Sequence, residues 1–242
     1  MKFLYILLLL PLTSCSSNYN WGWYILDPRL ENGLTNLEFL ISGLGITISI
    51  SLISIIISII IGFFIALPGL SNNKLLILVN RSYIEFFRAI PLLVLLLWVY
   101  YGLPVIFSIS VGAFLAGIIS LSLSDSAFEA EIFRAGLQSI PNGQKDAAKS
   151  IGLNKFQELR LIVLPQAIRI ILPAIGNQFV YVLKMSSLVS IIGLADLTRK
   201  ANELVVTVYR PLEIYSFLVL EYLLLILIIS YFIRKLEKKL KI

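Results

Sequence analysis

Asp125 and Glu129 are the residues with the clearest scope for chemistry, because they are two acids within a long apolar part of the chain. Residues four apart lie on the same face of a helix. If that helix spans a membrane, each charge near the centre costs at least about 2.5 to 3.5 kcal/mol and requires a partner, a cavity or an interface. Acids facing a water-filled pathway would favour a cationic side chain or an ammonium group. Alternatively, they lie at the cytoplasmic mouth and pair with Arg134 or Lys145.

A second set of polar residues follows Pro173, whose missing N–H donor loosens the backbone there. Asn177, Gln178 and Lys184 are candidates for the same pathway. Lys184 fits either contact with a substrate carboxylate or extension of its ammonium group to the outer interface. Glu221 also lies in an apolar segment, and the sequence assigns it no role.

The residue types exclude most other chemistry. No His occurs, and Cys15 is the single Cys, which excludes His/Cys metal sites, His-based triads and internal disulfides. No glycine-rich phosphate-binding loop occurs, so any ATP that drives the protein binds to another subunit. No nucleophile, base and orienting group stand together. We therefore expect a chain that is not itself an enzyme and that binds no metal or other cofactor.

The elements that position these residues are expected to be membrane-spanning helices. The 242 residues have a mean hydropathy of +0.91 and only 14% are charged, which is too apolar for a soluble domain of this size. The apolar residues form long unbroken runs rather than short alternating segments, which favours helices over a barrel. The predicted fold is an all-α polytopic membrane protein with five spans, at about residues 40–67, 84–103, 111–127, 166–184 and 214–233.

The N-terminal residues form a separate unit. Residues 1–15 contain one positive charge and an apolar run too short for the roughly 20 residues that a span needs. They end on a segment that resembles the cleavage box of bacterial lipoproteins, in which Cys15 would be lipidated; an uncleaved apolar leader fits equally well. Residues 16–38 are predicted to be an extracytoplasmic segment, and Trp21 and Trp23 suggest that it lies at the membrane interface.

The orientation follows from the basic residues, which cytoplasmic loops carry in excess. In a five-span topology three basic groups fall on one side, which we therefore predict to be cytoplasmic. This places the N-terminus outside and the C-terminus inside. The three groups are Lys74, Arg81 and Arg88; Arg134, Lys145, Lys149, Lys155 and Arg160; and Arg234, Lys235, Lys238, Lys239 and Lys241.

The polar segment at residues 139–165 lies on this cytoplasmic side. We predict a short helix over residues 144–151, in which Ala147 and Ala148 present so little side chain that a partner could approach the backbone closely. Gly152 then ends the helix. From these residues alone, the segment fits either an ordinary exposed loop or a docking surface.

Two local signals set the boundaries of this segment. Asn142-Gly143, after Pro141, is predicted to turn the chain because both residues tolerate left-handed geometry. Asn154, with Gln157 three residues later, resembles a capping box that opens the next helix.

The spacing of the segment resembles the signature of permease subunits of bacterial ABC importers. That signature is E-A-A, three residues, G, nine residues and I-x-L-P. This chain matches every spacing, with Asp146-Ala147-Ala148, then Gly152, then Ile162-Val163-Leu164-Pro165. The one departure is Asp in place of the first Glu. Other segments resemble the branch for polar amino acids, the histidine/glutamine/glutamate permease family. They are Tyr83–Leu93, Ala130–Pro141, Leu164–Ala167, Gly176–Gln178 and Leu183–Leu188.

The resemblance implies a type I importer in which residues 39–242 form the transmembrane domain. It implies a permease dimer, identical or paired with a homologue, with two cytoplasmic ATPases and an extracytoplasmic amino-acid-binding protein. Asp146, Ala147, Ala148, Gly152 and Leu153 would meet the ATPase. The candidate pathway residues are Asp125, Glu129, Asn177, Gln178, Lys184 and Ser187.

The expected function is ATP-driven import of a polar amino acid, and the two acids favour a basic one. The alternative is a secondary transporter or channel that is not coupled to an ATPase. That alternative usually shows internal symmetry, and no clear internal repeat occurs in this sequence.

Overall fold

The computed structural model describes residues 19–239, which form helices and their connections. The predicted leader and Cys15 lie outside the described residues. A 3-10 turn at Trp23–Leu26 precedes the helices. In chain order these are α1 Glu31–Ile41, α2 Leu44–Gly69, α3 Lys74–Ala89, α4 Leu92–Phe107, α5 Ala113–Gln138, α6 Asn142–Ser150, α7 Lys155–Ile192, α8 Leu197–Val208 and α9 Pro211–Lys239.

Four helical stretches within residues 19–239 are long and apolar enough to cross a membrane. They are α1 with α2 as one stretch of 39 residues, and then α5, α7 and α9. Helices α3 and α4 pass the same test together but meet at an angle of 94°. The five-span all-α fold is confirmed when this bent pair is counted as one span.

The span predicted at residues 84–103 belongs to the bent pair of α3 and α4, because the chain bends in the middle of the predicted range. Helix α3 ends at Ala89, and Ile90 adopts an extended conformation with φ −87° and ψ 123°. Proline disfavours helical geometry in the residue before it and offers no N–H to the preceding turn. Pro91 therefore ends α3 and starts α4 in a new direction.

The other predicted spans differ from the structure in their limits, and α7 and α9 extend beyond the predicted 166–184 and 214–233 at both ends. The span predicted at 40–67 is divided at Ser42–Gly43, where α1 ends and α2 begins. The span predicted at 111–127 continues as α5 to Gln138. The prediction stopped near the two acids, whereas α5 carries Asp125 and Glu129 inside the bundle, where they are 2% and 0% exposed.

The packing of α2 against α5 forms the centre of the fold. A Cβ atom built on Gly62 would lie only 2.5 Å from the Cβ of Glu129, so the two helices touch almost backbone to backbone. Small residues permit such close approach between helices in membranes. On the same side, α2 buries a stripe of hydroxyl side chains, all 0% exposed: Thr47, Ser51, Ser54 and Ser58.

The helices place α6 and α8 at opposite ends of the bundle. Helix α6 follows the C-terminal end of α5, whereas α8 follows the far end of α7. Near that far end the Leu197 N–H donates to the Thr47 hydroxyl at the start of α2. Helix α9 returns beside α7, because a Cβ on Gly176 would lie 2.6 Å from Ile233. The start of α9 therefore lies at the α8 end and its C-terminus lies at the α6 end.

Candidate functional site

Helix α6 ends in a tight reversal at Gly152. Gly152 has a φ of +79° and donates its N–H to the Lys149 carbonyl at 2.9 Å, while the Leu153 N–H donates to the Ala148 carbonyl at 3.1 Å. This pair of bonds is the Schellman arrangement, which favours glycine at the left-handed position. The prediction that Gly152 ends the helix is confirmed.

The start of α6 differs from expectation, whereas the start of α7 agrees with it. Asn142 and Gly143 are the first two residues of α6 rather than a left-handed turn, and Pro141 precedes them with ψ 140°. The capping box at the start of α7 is confirmed, with the Gln157 N–H donating to the Asn154 side chain at 2.9 Å and the reciprocal bond at 3.0 Å.

The residues expected on the docking surface do not all face outward. Ala147 is exposed, and Asp146 forms an exposed ion pair with Lys149 at 3.2 Å. Ala148 is only 2% exposed, however, and Leu153 is half-buried. Ala148 therefore packs against its own chain, since a helix that lies on a surface must turn one side inward. It can position α6, but its side chain is not on the face open to a partner.

Two large apolar residues that the sequence reasoning missed lie on the exposed side of this segment. Ile151 is 73% exposed and Phe156 is 68% exposed. An apolar side chain within an otherwise polar stretch is the signal that could have identified them. Together with Ala147 and Gly152 they form what we call the docking face.

A cleft of about 900 Å³ adjoins α6 and separates it from the loop between α2 and α3. Its rim is mainly basic, with Lys145, Lys149 and Lys155 against Glu158. On this side the surface is therefore polar and positively charged.

Asp125 is held by neutral donors from two other helices. The Ser58 hydroxyl of α2 donates to Oδ2 at 2.6 Å, and the Gln178 side-chain amide of α7 donates to Oδ1 at 2.5 Å. Gln178 thus contacts one of the two acids. The three helices α2, α5 and α7 meet at this carboxylate.

Glu129 lies one turn further along the same face of α5, against Gly62. It is 0% exposed, and neither of its carboxylate oxygens has a hydrogen-bond partner among the described residues. The alternative pairing with Arg134 is not formed, because Arg134 binds Glu131 at 2.8 Å instead. Buried acids are almost always paired with a cation or a hydrogen-bond donor. Glu129 has no such partner among the described residues.

The other pathway candidates do not join this cluster. Asn177 and Lys184 are exposed on α7. The half-buried Ser187 donates its hydroxyl to the Lys184 carbonyl at 2.8 Å. Glu221 on α9 has two carboxylate oxygens that are both buried and without a partner among the described residues.

Asp196 lies at the opposite end of the bundle and begins α8. Its Oδ1 accepts the Arg199 N–H at 2.8 Å, which caps the helix. Its Oδ2 is buried with no partner among the described residues. Burial raises the pKa of this carboxyl to about 6, and the hydrogen bonds to Arg199 and Thr198 oppose the rise.

Comparison with known proteins decides the family. A family described as binding-protein-dependent transport system inner membrane component matches residues 58–242. The chain belongs to this family. Arginine transport system permease protein ArtQ of Bacillus subtilis is 35% identical over 208 residues, which are 86% of this chain and 95% of that protein. Glutamine transport system permease protein GlnP of Escherichia coli is 32% identical over 207 residues, 85% of this chain and 94% of the relative.

Solved structures agree with this assignment. The crystal structure of an amino acid ABC transporter with histidines matches with a TM-score of 0.79 and 40% identity, over 85% of this chain and 96% of the other. The MetNI methionine ABC transporter matches with a TM-score of 0.73 at 19% identity, over 84% and 97%. The second match concerns the fold alone. The chain is thus a multi-pass inner membrane permease component with the type I importer fold.

Proposed function

We propose that this chain is the permease subunit of an ATP-driven importer for a cationic amino acid, with Asp125 and Glu129 recognising the positive charge. The observation that carries the substrate class is Glu129, a fully buried acid whose two oxygens have no hydrogen-bond partner among residues 19–239. The relatives whose names record arginine and glutamine transport make an amino acid the substrate class to test. They also favour the ATP-coupled reading over a secondary transporter or channel.

The site is acidic, and no basic residue in the described part of the chain forms an ion pair with either acid. The donors to Asp125 are the Ser58 hydroxyl and the Gln178 amide, which are neutral. A guanidinium or ammonium group placed beside Glu129 would supply the missing charge and several N–H donors at once. A neutral amide substrate would supply donors but leave the carboxylate charge uncompensated, which is costly in a buried site.

Access to the acids requires the helices to separate, because both carboxyls are buried. Asp125 bridges α2 and α7 through its two hydrogen bonds, so movement of either helix exposes the site. We infer that opening and closing of this junction accompanies the alternating access of the importer. Asn177, Lys184 and Ser187 remain our candidates for the pathway beyond the junction, toward the α8 end of α7.

The test is uptake by the reconstituted complex of permease, ATPase and binding protein. We expect Glu129→Gln to abolish uptake of radiolabelled arginine while the complex still assembles. The matched control is Glu131→Gln, two residues further along α5, which removes an acid whose partner is Arg134 on the same helix and should leave uptake unchanged. Arginine uptake at the wild-type level in Glu129→Gln would exclude the acid pair. Preference of the wild type for glutamine over arginine would exclude the cationic substrate.

We further propose that the docking face binds the cytoplasmic ATPase. Its support is the rigid reversal at Gly152 together with the exposed Ile151 and Phe156. Exposed apolar side chains on a polar surface are typical of protein interfaces. The positive-inside rule favours the same side of the membrane for α6, for the basic cleft and for the C-terminus. The remaining partners that we propose are a second permease subunit and an extracytoplasmic binding protein.

Copurification of the ATPase tests the docking face. We expect Ile151→Asp to release the ATPase from the detergent-solubilised complex, because it places a charge at the centre of the apolar contact. The control is Asn142→Asp, which adds the same charge in the first turn of α6, where a helix accommodates it well. If Ile151→Asp retains the ATPase as the control does, the docking face has been assigned to the wrong residues.

A further inference from the structure

Residues 19–26 form a strap that crosses the start of α9 at the end of the bundle opposite α6. The strap includes the 3-10 turn at Trp23–Leu26. Its inner side chains, Ile25 and Leu26, are 8% and 6% exposed, and Leu26 packs in a cluster with residues of α1, α8 and α9. The strap is therefore part of the folded structure rather than a loose N-terminal tail.

Polar contacts fasten the strap to the loop between α8 and α9 and to the first turn of α9. Glu213 is 0% exposed and accepts hydrogen bonds from the Tyr19 hydroxyl and, at 3.3 Å, from the Gly22 N–H. Arg210 donates to the Asn20 carbonyl at 2.9 Å. Its guanidinium also lies 5.3 Å from the centre of the Tyr19 ring. If the strap left this position, the buried Glu213 carboxylate would lose its hydrogen-bond donors from Tyr19 and Gly22, which is costly for a buried acid. The position of the strap and the local fold around Glu213 therefore depend on each other.

The outer side of the strap is aromatic and exposed. Trp21 and Trp23 pack edge to face with ring centres 5.2 Å apart, and each is 44% exposed. Tyr24 is 48% exposed. Large aromatic rings with one polar atom are enriched where a bilayer meets water, since the ring prefers the apolar side and the N–H or O–H prefers the wet side.

This aromatic face continues into the exposed apolar face of α9. A hollow of about 610 Å³ lies between them, lined by Trp23 and Tyr24 of the strap and by Phe217 and Leu220 of α9. Further along α9 the same helix exposes apolar side chains that need a hydrocarbon environment. They are Val219, Leu223, Leu224, Leu227 and Ile228.

We propose that the strap is an interfacial membrane anchor, with Trp21 and Trp23 inserted at the boundary between lipid headgroups and acyl chains and with Glu213 and Arg210 fixing it to α9. The occupant of the aromatic face is phospholipid. The contacts hold the start of α9 at a fixed depth in the bilayer, so that the strap sets the level of this helix at the α8 end.

Tryptophan fluorescence tests this directly, because the chain has only three Trp residues, at 21, 23 and 98. The full-length Trp98→Phe variant leaves the two strap residues. It is reconstituted in phosphatidylcholine vesicles whose acyl chains carry bromine either near the headgroup or near the chain end, with iodide present on both sides in a parallel sample. We expect greater loss of emission with shallow than with deep bromine, and little loss with iodide.

The double variant Trp21→Phe/Trp23→Phe is the matched control. It leaves Trp98, which is half-exposed in the middle of α4 and should be quenched more by deep than by shallow bromine. Stronger quenching of Trp98 by deep bromine would show that the protein has been inserted in the bilayer. Strong quenching of Trp21 and Trp23 by iodide, with none by either brominated lipid, would overturn the proposal, because it would place both rings in the aqueous phase.

A second pair of variants tests the fastening. Tyr19→Phe in the Trp98→Phe background removes only the hydroxyl that reaches Glu213, and we expect quenching to shift from shallow bromine toward iodide. Tyr215→Phe is the control, because its hydroxyl donates to Asn202 at 3.1 Å at the same end of the bundle without touching the strap. Identical quenching in the two variants would refute the role of the Glu213 contact.

Discussion

The substitution Gly62→Ala provides the most direct test of the packing that encloses the acids. Gly62 lies on α2 where that helix crosses α5. An added Cβ would lie 2.5 Å from the Cβ of Glu129, 3.0 Å from the Ala130 nitrogen and 3.0 Å from the Ser126 carbonyl oxygen. Two of these atoms belong to the backbone and the third is fixed directly to it, so no side-chain rotation relieves the overlap.

The cost follows from the displacement that the methyl group requires. Carbon atoms in good contact lie about 3.5 to 4.0 Å apart, so α2 and α5 must separate by roughly 1 Å at this point. Overpacking of this kind costs typically about 1 to 3 kcal/mol. For a chain of this size, 1 kcal/mol corresponds to roughly 2 to 4 °C in melting temperature. We expect Gly62→Ala to lower the melting temperature of the purified permease by several degrees.

The assay is thermal unfolding in detergent, with Gly45→Ala as the matched control. Gly45 lies on the same helix and a Cβ there would meet no atom within 4 Å, so alanine should be neutral or stabilise by up to about 1 kcal/mol. Arginine uptake should also fall in Gly62→Ala, because the methyl group displaces Glu129 or its helix. Equal melting temperatures for the two variants would refute the close approach of α2 to α5.

Three further changes have defined outcomes. Gly152→Ala should lower the melting temperature, because a non-glycine residue at φ +79° costs roughly 1 to 2 kcal/mol. The control Gly143→Ala creates no strain or contact and should leave the melting temperature unchanged. A melting temperature of Gly152→Ala at or above that of the wild type would contradict this expectation. Gln178→Leu removes one donor from Asp125 and should destabilise the fold by about 1 to 3 kcal/mol, which the same thermal unfolding assay would detect. An unchanged melting temperature would mean that water replaces the amide as the donor to Asp125. The pKa of Asp196 is raised to about 6 in the fold by burial, so the folded state binds the proton more tightly and stability should fall as the pH rises from about 4 to about 6, then level off. Asp196→Asn keeps an oxygen for the helix cap and should remove this part of the dependence of stability on pH. A pH dependence identical to that of the wild type would assign the effect to another titrating group.

The sequence predicted the number of spans but not the course of the second one. Its apolar run continues through Pro91, and hydropathy does not distinguish a straight helix from two helices at 94°. The signal was nevertheless present, since proline restricts the residue before it. The prediction gave more weight to the continuity of apolar residues than to this local restriction. The extended backbone at Ile90 shows that the restriction by proline determines the course of the chain here.

The docking segment shows a different limit. The glycine itself indicated that the helix ends at Gly152, because a left-handed residue after a helix is a local property of the chain. Which side of α6 faces outward is not local, since it depends on the segment at the start of α7 against which the helix packs. For that reason Gly152 was predicted correctly, whereas Ala148 was expected on the surface and is 2% exposed.

The two acids illustrate why spacing can identify a site without showing how it works. Their separation of four residues implied a shared face, and the structure has both carboxyls facing α2. The partners of Asp125 are 67 and 53 residues away in the chain, however, and no local pattern links them. These contacts make the acids unlike one another: Asp125 is fixed between α2 and α7, whereas Glu129 is enclosed and receives no hydrogen bond from the residues that the structure describes. An acid enclosed without a donor gains most from an arriving cation, so Glu129 is the residue whose environment changes most when substrate enters. Each oxygen of Asp125 already accepts one hydrogen bond, so an arriving cation changes the environment of Asp125 less. We therefore expect Glu129→Gln to weaken substrate affinity most, and Asp125→Asn to weaken it less and also to alter the movement of α2 relative to α7. Separate measurements of substrate affinity and maximal uptake rate would distinguish these effects.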